Sequence, residues 1–403
     1  MITIELVNFM NIDRPLNIVL YLVSYFPTVG GREMVVHYMA KWLKRLGHNP
    51  RVVGPAGFIS DRKYKFEYPV HRWPTLRGEF VDQVAKTTLY LDAKIWKADI
   101  IHAHSTYPNA YHASLVKSLK LVPLVVTPHG EDIHIIPEIN FGLRMDPDLD
   151  HKIRQAVGSA DMCTSISKDV TQSLINAGAQ SDKIIEIPNG IDLERFDFDH
   201  GINIREYYNI PPDSQILTAV ASYHVKRGYE DLINAFSIVN NKNKNTYLLI
   251  AGINTDVLNG QILQLGLQNN VILAGQIQPP FVSGKADLLA SIYKQSDVFF
   301  NASMASGAEG LSLALLDAMG ARLPVIATNI SGNKDVVIDE KNGYLVEPGD
   351  HVNMAEMAIK LLSNQSKIEQ FGNESRNIAE QYSWERITKR YLDVYLELIK
   401  SKN

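Results

Sequence analysis

A single cysteine in 403 residues, Cys163, rules out an intramolecular disulfide, and no Cys/His spacing matches a zinc site. A reducing, cytoplasmic setting is the expectation. Long apolar runs are absent too: the stretch Leu16 to Phe26 is broken by Asn17 and Ser24, whereas a membrane span needs about 20 residues. It reads as a buried strand, and no secretory cleavage pattern follows it. There is no basic excess: 40 Lys and Arg against 44 Asp and Glu leave a net charge of -4, so nucleic acid is not expected as a partner. Hydrophobic residues at 45% and charged residues at 21% are ordinary for a soluble globular chain, which excludes disorder and coiled coil. At about 150 residues per domain, the length implies two or three cores.

From residue 16 onward, short apolar runs alternate with amphipathic segments, the pattern of parallel sheets covered by helices on both faces. The first series has strands at 16–23, 51–53, 100–103, 124–127, 162–165 and 184–187. Helices are expected at 33–46, 109–119, 148–157 and 167–177. The polar stretch 198–213, with Pro211-Pro212, reads as a linker between domains at 1–197 and 214–383. Beyond it come strands at 216–221, 246–251, 271–273, 298–301, 324–328 and 343–346. A last amphipathic helix within 384–403 follows the second sheet and can dock on either domain, packing back on the first being one of the two arrangements. Two doubly wound α/β domains in tandem place a ligand cleft at the carboxyl ends of their strands.

The loops at those ends hold the candidate residues. Gly30-Gly31 lies between the first strand and its helix, where backbone amides can approach an anion, although a third glycine for the dinucleotide fingerprint is lacking. His102 and His104 share one face of a strand, and with no third ligand in view they read as buried, hydrogen-bonded rings rather than a metal site. His129 ends a strand in a Pro-His-Gly turn, where an imidazole can donate to a hydroxyl or move a proton. Lys226 and Arg227, before Gly228, stand where two cations can clamp a diphosphate, the alternative being a solvated loop. The segment Asn301 to Ala327 is the most informative. Its small-residue loop leads through Glu309, Gly310, Leu311 and Ser312 into a helix with Asp317 two turns inside. Eight steps at about 1.5 Å each put the two acids roughly 12 Å apart, a hexose-to-ribose span with a diphosphate over the helix N-terminus.

Taken in order, Gly30-Gly31-Arg32-Glu33, ADIIHAHS, VTPHGEDI, IPNGIDLERF, KRG, AEGLSLALLDAMGARLPVIAT and NGYLVEPGD resemble the group 1, family 4 retaining glycosyltransferases of GT-B fold. The resemblance runs from about residue 16 to 399. It implies two Rossmann-like domains, the first on the acceptor side and the second binding a nucleotide diphosphate sugar. It further implies Glu309 on donor-sugar hydroxyls, Asp317 on the ribose, and Lys226, Arg227 and the amides of Gly310, Leu311 and Ser312 on the diphosphate. His129 would stand beside the reacting sugar, and Gly30-Gly31 near the phosphates or the acceptor. No metal and no cofactor besides the donor are expected. The chain departs from the pattern at Asp317, where the family usually has Glu. It departs also at Ser222, which occupies a usual Arg position in the donor site, and at Ser312 and Ala314 flanking Leu313.

The expected reaction transfers a hexosyl-type sugar to a glycan or lipid-linked acceptor, as in surface polysaccharide or glycoconjugate synthesis. Retention would come from front-face substitution, since no carboxylate stands out as a nucleophile. Two rivals share the scaffold: a nucleotide-sugar 2-epimerase and a catalytically silent sugar-nucleotide-binding protein. For the acceptor, residues 1–195 carry 22 basic against 21 acidic groups, and 196–403 carry 18 against 23. Residues 41–77 concentrate nine basic groups with Tyr64, Phe66, Tyr68 and Trp73 among them, which suits docking on an anionic membrane face, the alternative being a solvated helix face and loop.

Overall fold

The computed structural model describes residues 14–26, 28–55, 64, 66–73, 80–117, 122–304, 310–330 and 332–401. The first of its two sheets contains β1 (Asn17–Tyr21), β2 (Asn49–Pro55), β3 (Val70–Trp73), β4 (Ile100–His104), β5 (Leu124–Thr127), β6 (Met162–Ser165) and β7 (Ile184–Glu186). They lie in the order β3-β2-β1-β4-β5-β6-β7. The second contains β8 (Gln215–Val220), β9 (Thr246–Ala251), β10 (Val271–Gly275), β11 (Val298–Asn301), β12 (Val325–Thr328) and β13 (Gly343–Val346), ordered β10-β9-β8-β11-β12-β13. Every pairing between these strands is parallel. Helices on both faces explain why the central strands are apolar throughout: Leu124–Thr127 and Val325–Thr328 are buried at every position. This is the GT-B arrangement of two doubly wound α/β domains.

In each sheet the strand order reverses at one point, between β1 and β4 and between β8 and β11. Such switch points open crevices at the strands' carboxyl ends, and the two crevices together form the cleft. Four helices matter for it: α1 (Gly31–Arg45), α2 (Val81–Ile95), α3 (Leu313–Gly320) and α4 (Trp384–Lys400).

Two elements are missing from the sequence-based expectation. β3 is an edge strand of four residues with only Trp73 buried, too short and polar for an alternation signal. α2 buries Ala85, Leu89 and Ala93 yet exposes Phe80, Leu91 and Ile95 around them, which blurs the period of 3.6. The stretch 198–213 is also more than a linker. It contains the short helix Ile204–Tyr208, and Ile204 and Ile210 are buried with Ile216 and Leu249 of the second sheet. α4 returns to the first domain, where Trp384, Ile387, Tyr391 and Tyr395 join its core. Its start is pinned by Trp384 N–H donating to the Ile191 carbonyl at 3.0 Å. Gly190 is required there: a Cβ would stand 2.5 Å from the Trp384 ring.

Candidate active site

A cavity of about 590 Å³ lies between the two sheets. The loops after β1, β5 and β7 line it from one side, and those after β8, β10 and β11 from the other. Among the expected residues, Gly31, His129, Ser222, Lys226, Arg227, Gly310, Leu311, Ser312 and Asp317 all reach this cavity. Glu309 lies outside the described residues. Gly30 is not on the lining: it is the N-cap of α1 in extended backbone, and a Cβ on it would stand 2.7 Å from Glu33 Oε2.

The N-termini of α1 and α3 approach each other across the cleft. An ideal Cβ on Gly31 would lie 3.9 Å from Leu313 Cδ1, so the positive ends of two helix dipoles share one space. Gly310 has a packing reason, because a Cβ there would stand 2.5 Å from Ile166 Cδ1 of the first domain. Asn189 Nδ2 donates to the Leu311 carbonyl at 2.8 Å and holds the same approach. Glycine at this helix start thus serves close packing between domains as well as access to the amides.

Lys226 and Arg227 form a single 3-10 turn with Val225, whose N-cap His224 accepts from the Lys226 N–H through Nδ1 at 3.2 Å. Gly228 follows with φ 61°, and a Cβ on it would collide with the Ala302 carbonyl. The Lys226 ammonium sits 3.8 Å from the centre of the Phe141 ring, which belongs to the first domain. Burial, and then the neighbouring Arg227, push its pKa down to about 8. Burial lowers that of Arg227 as well. The two cations are therefore half-buried and line the cavity, on a loop that exposes Ser222 and Val225.

Asp317 is not a bare carboxylate facing the cleft. Its Oδ2 accepts from Arg195 Nη1 at 2.9 Å, while Arg195 Nε reaches Asp287 Oδ2 at 2.8 Å. Burial works to raise both carboxyls. Arg195 and the Ala290 N–H outweigh it at Asp287, which lies below the ordinary value, whereas Asp317 remains above it. Nearby, Lys41 on α1 pairs with Asp192 at 2.8 Å. Asn189, Asp192 and Arg195 all belong to the IPNGIDLERF run, yet that run does not show that Arg195 spans two acids. Asp287 carries no sequence signal at all. Another bridge between domains is equally unsignalled: Phe281 stacks on His37 at 3.9 Å and meets Phe26 edge-on at 4.9 Å.

His129 is held by its own N–H, which donates to Asp132 Oδ1 at 2.8 Å. Its Nε2 and His104 Nδ1 are 3.2 Å apart. Burial, followed by Arg32 and His102, pushes its pKa down to about 3, so the ring is neutral at physiological pH. His102 is deeper, bonded to the Tyr395 hydroxyl through Nδ1 and to Thr127 through Nε2, each at 2.6 Å. Among the described residues, no group of three His, Cys, Asp or Glu is placed to hold a metal ion. Cys163 is buried, its thiol pushed up to about 12.

Among the described basic residues of 41–77, Lys44 and Arg45 are exposed, while several others engage groups of the same chain. Lys41 pairs with Asp192, Arg45 with Glu194 and Arg51 with Asp92, and Arg72 donates to the Phe26 carbonyl at 2.5 Å. Arg62, Lys63, Lys65 and Arg77 lie outside the described residues. No described helix is long and apolar enough to cross a membrane.

The family described as "Glycosyltransferase Family 4" matches residues 29–195, and "Glycosyl transferases group 1" matches residues 202–378. The chain is 24% identical over 388 residues to N-acetyl-alpha-D-glucosaminyl L-malate synthase of Bacillus anthracis, covering 94% of this chain and 97% of that one. It is 27% identical over 240 residues to the capsular polysaccharide biosynthesis glycosyltransferase CapM of Staphylococcus aureus, 56% of this chain and 60% of the other. Among solved structures, HepE of Anabaena in complex with UDP and glucose superposes with a TM-score of 0.77 at 18% identity, covering 95% of this chain and all of that one.

Proposed function

Since the chain belongs to the group 1, family 4 glycosyltransferases of GT-B fold, we propose that it moves a hexosyl-type sugar from a nucleotide diphosphate sugar to a glycan or lipid-linked acceptor, with retention of configuration. The observation that carries this reading is the convergence of two helix N-termini with the half-buried Lys226-Arg227 pair on one cleft. Together they match a diphosphate. As the sugar's bond to phosphate breaks, the growing charge falls on these donors, and the new bond forms on the same face while the acceptor hydroxyl's proton passes to the departing phosphate. His129 stands at the sugar end, and Glu309 holds sugar hydroxyls as the family resemblance implies. Arg195 engages Asp317 Oδ2, leaving the other oxygen for a ribose hydroxyl. The leaving group's charge is met by side chains and helix ends, with no bound metal and no further cofactor. The HepE complex supports a uridine donor, and the CapM similarity supports a role in surface polysaccharide synthesis.

Thermal-shift screening with UDP-, GDP- and ADP-sugars, followed by transfer assays, tests this. A donor is expected to raise the unfolding midpoint by mass action. Glu309→Ala is expected to abolish transfer with the midpoint of the free protein unchanged. Undiminished transfer in that variant refutes the site. Isomerised sugar formed from donor alone replaces transfer with 2-epimerisation, and donor binding without any turnover replaces it with a silent binding protein.

For a lipid-linked acceptor, a second face that suits an anionic bilayer, besides the basic stretch 41–77, is that of α2. Phe80, Leu91 and Ile95 are 73%, 48% and 79% exposed there, and Lys94 and Lys97 stand exposed beside them. Flotation with anionic vesicles is expected at low salt and is expected to be lost in Leu91→Glu/Ile95→Glu. Equal flotation of both proteins, or of neither, refutes it.

A further inference from the structure

His104 has no exposed surface, and its Nε2 is buried without a hydrogen-bond partner. Its ring lies between two others, stacked 4.1 Å from His102 and 5.5 Å from His129. Asn109 Nδ2 donates to its carbonyl, which anchors the backbone at the end of β4. Among the described residues, the side-chain hydrogen bond of His104 runs from Nδ1 to His129 Nε2 at 3.2 Å. With both rings neutral, one proton serves that contact, and it has two possible owners.

If His129 Nε2 carries it, His104 must hold its own proton on Nε2, an N–H buried with no acceptor among the described residues. If His104 Nδ1 carries it, Nε2 is only a bare lone pair. Buried N–H groups without acceptors are the rarer fault in folded proteins. We propose that His104 donates through Nδ1 to His129 Nε2 and thereby fixes the tautomer of His129, whose Nδ1–H is then a hydrogen-bond donor directed into the cleft. His104 is a positioning residue: it touches no substrate and acts through His129. The role of that donor rests on the glycosyltransferase reading above, in which Nδ1–H meets an oxygen of the reacting sugar. A neutral donor suits this place, because it can bind sugar oxygen without competing for the proton that leaves with the diphosphate.

The test uses the full chain labelled with 15N at histidine. Two-bond proton–nitrogen correlations distinguish protonated from bare ring nitrogens, and His129→Gln assigns the His129 signals. His129 is expected to show protonated Nδ1 and bare Nε2. His104→Asn places an amide N–H near the position of Nδ1 and is expected to keep that pattern and most of the transfer rate. His104→Leu removes the donor; His129 is expected to become a mixture of tautomers, with kcat lower by about tenfold, the value of one hydrogen bond, and donor KM changed less than about twofold. Protonated Nε2 on His129 in the parent protein overturns the proposal, as does an unchanged tautomer in His104→Leu. If that variant does not fold, the spectra of the parent and of His104→Asn still decide. Full transfer by His129→Gln overturns the role given to His129 while leaving the tautomer assignment to the spectrum, so the two failures are distinguishable.

Discussion

Lys226 offers a test in which pH moves two observables in opposite directions. Burial and Arg227 lower its pKa to about 8, against an ordinary lysine value near 10.5. In the free enzyme the ammonium is therefore half deprotonated near pH 8 and mostly neutral above about pH 9. A bound diphosphate favours the charged form and returns the pKa toward its ordinary value, so donor binding above pH 8 must take up a proton. Affinity should then fall by about tenfold per pH unit between pH 8 and 10, and stay flat below pH 7. The sign for folding is the reverse. The unfolded chain binds more protons at this site over the same window, so Lys226 makes the free protein more stable as pH rises through it. Titration calorimetry of a donor at pH 7, 8 and 9, in two buffers of different ionisation enthalpy, reads both the affinity and the proton count. Lys226→Met should bind weakly at every pH and take up no proton. Donor affinity constant from pH 7 to 9, with no proton uptake, would show that Lys226 does not face the diphosphate.

Two further substitutions probe how the site is held. Arg195→Met leaves Asp287 and Asp317 buried without their cation, a loss expected at about 3–5 kcal/mol. The two carboxyls would then titrate higher than in the unfolded chain, so the deficit in unfolding midpoint should be large at pH 8 and shrink toward pH 5, and Asp287→Asn should recover part of it; a deficit independent of pH would refute the charge argument. Gly190→Ala forces a Cβ to within 2.5 Å of the Trp384 ring. Overpacking at a rigid ring should cost about 1–3 kcal/mol, and an unchanged denaturation midpoint would show that α4 can shift freely.

Much of the fold could be read directly. Parallel strands covered on both faces must be apolar along their whole length, so they stand out as short runs between amphipathic segments, as at 124–127 and 325–328. β3 and α2 escaped because each is only half covered, which weakens the period on which such reading depends. Lys226, Arg227 and His129 were legible as site candidates because they follow strand ends, where an α/β fold puts its ligands, and Ser222 through the family resemblance.

What the sequence by itself determined, then, is local: the strands and most helices, the two α/β units, and the loops that line the cleft. Tertiary structure decided how distant residues share charge, protons and space. Arg195 and Asp287 are 92 residues apart in sequence, Lys41 and Asp192 are 151 apart, and His102 finds Tyr395 across 293 residues. No periodicity records such pairings, because each depends on where two elements come to rest. The same cause separates the two fates of the basic residues. Those of 41–77 look alike in sequence, and only packing shows that Lys41, Arg45 and Arg51 neutralise acids of their own chain while Lys94 and Lys97 remain at the surface.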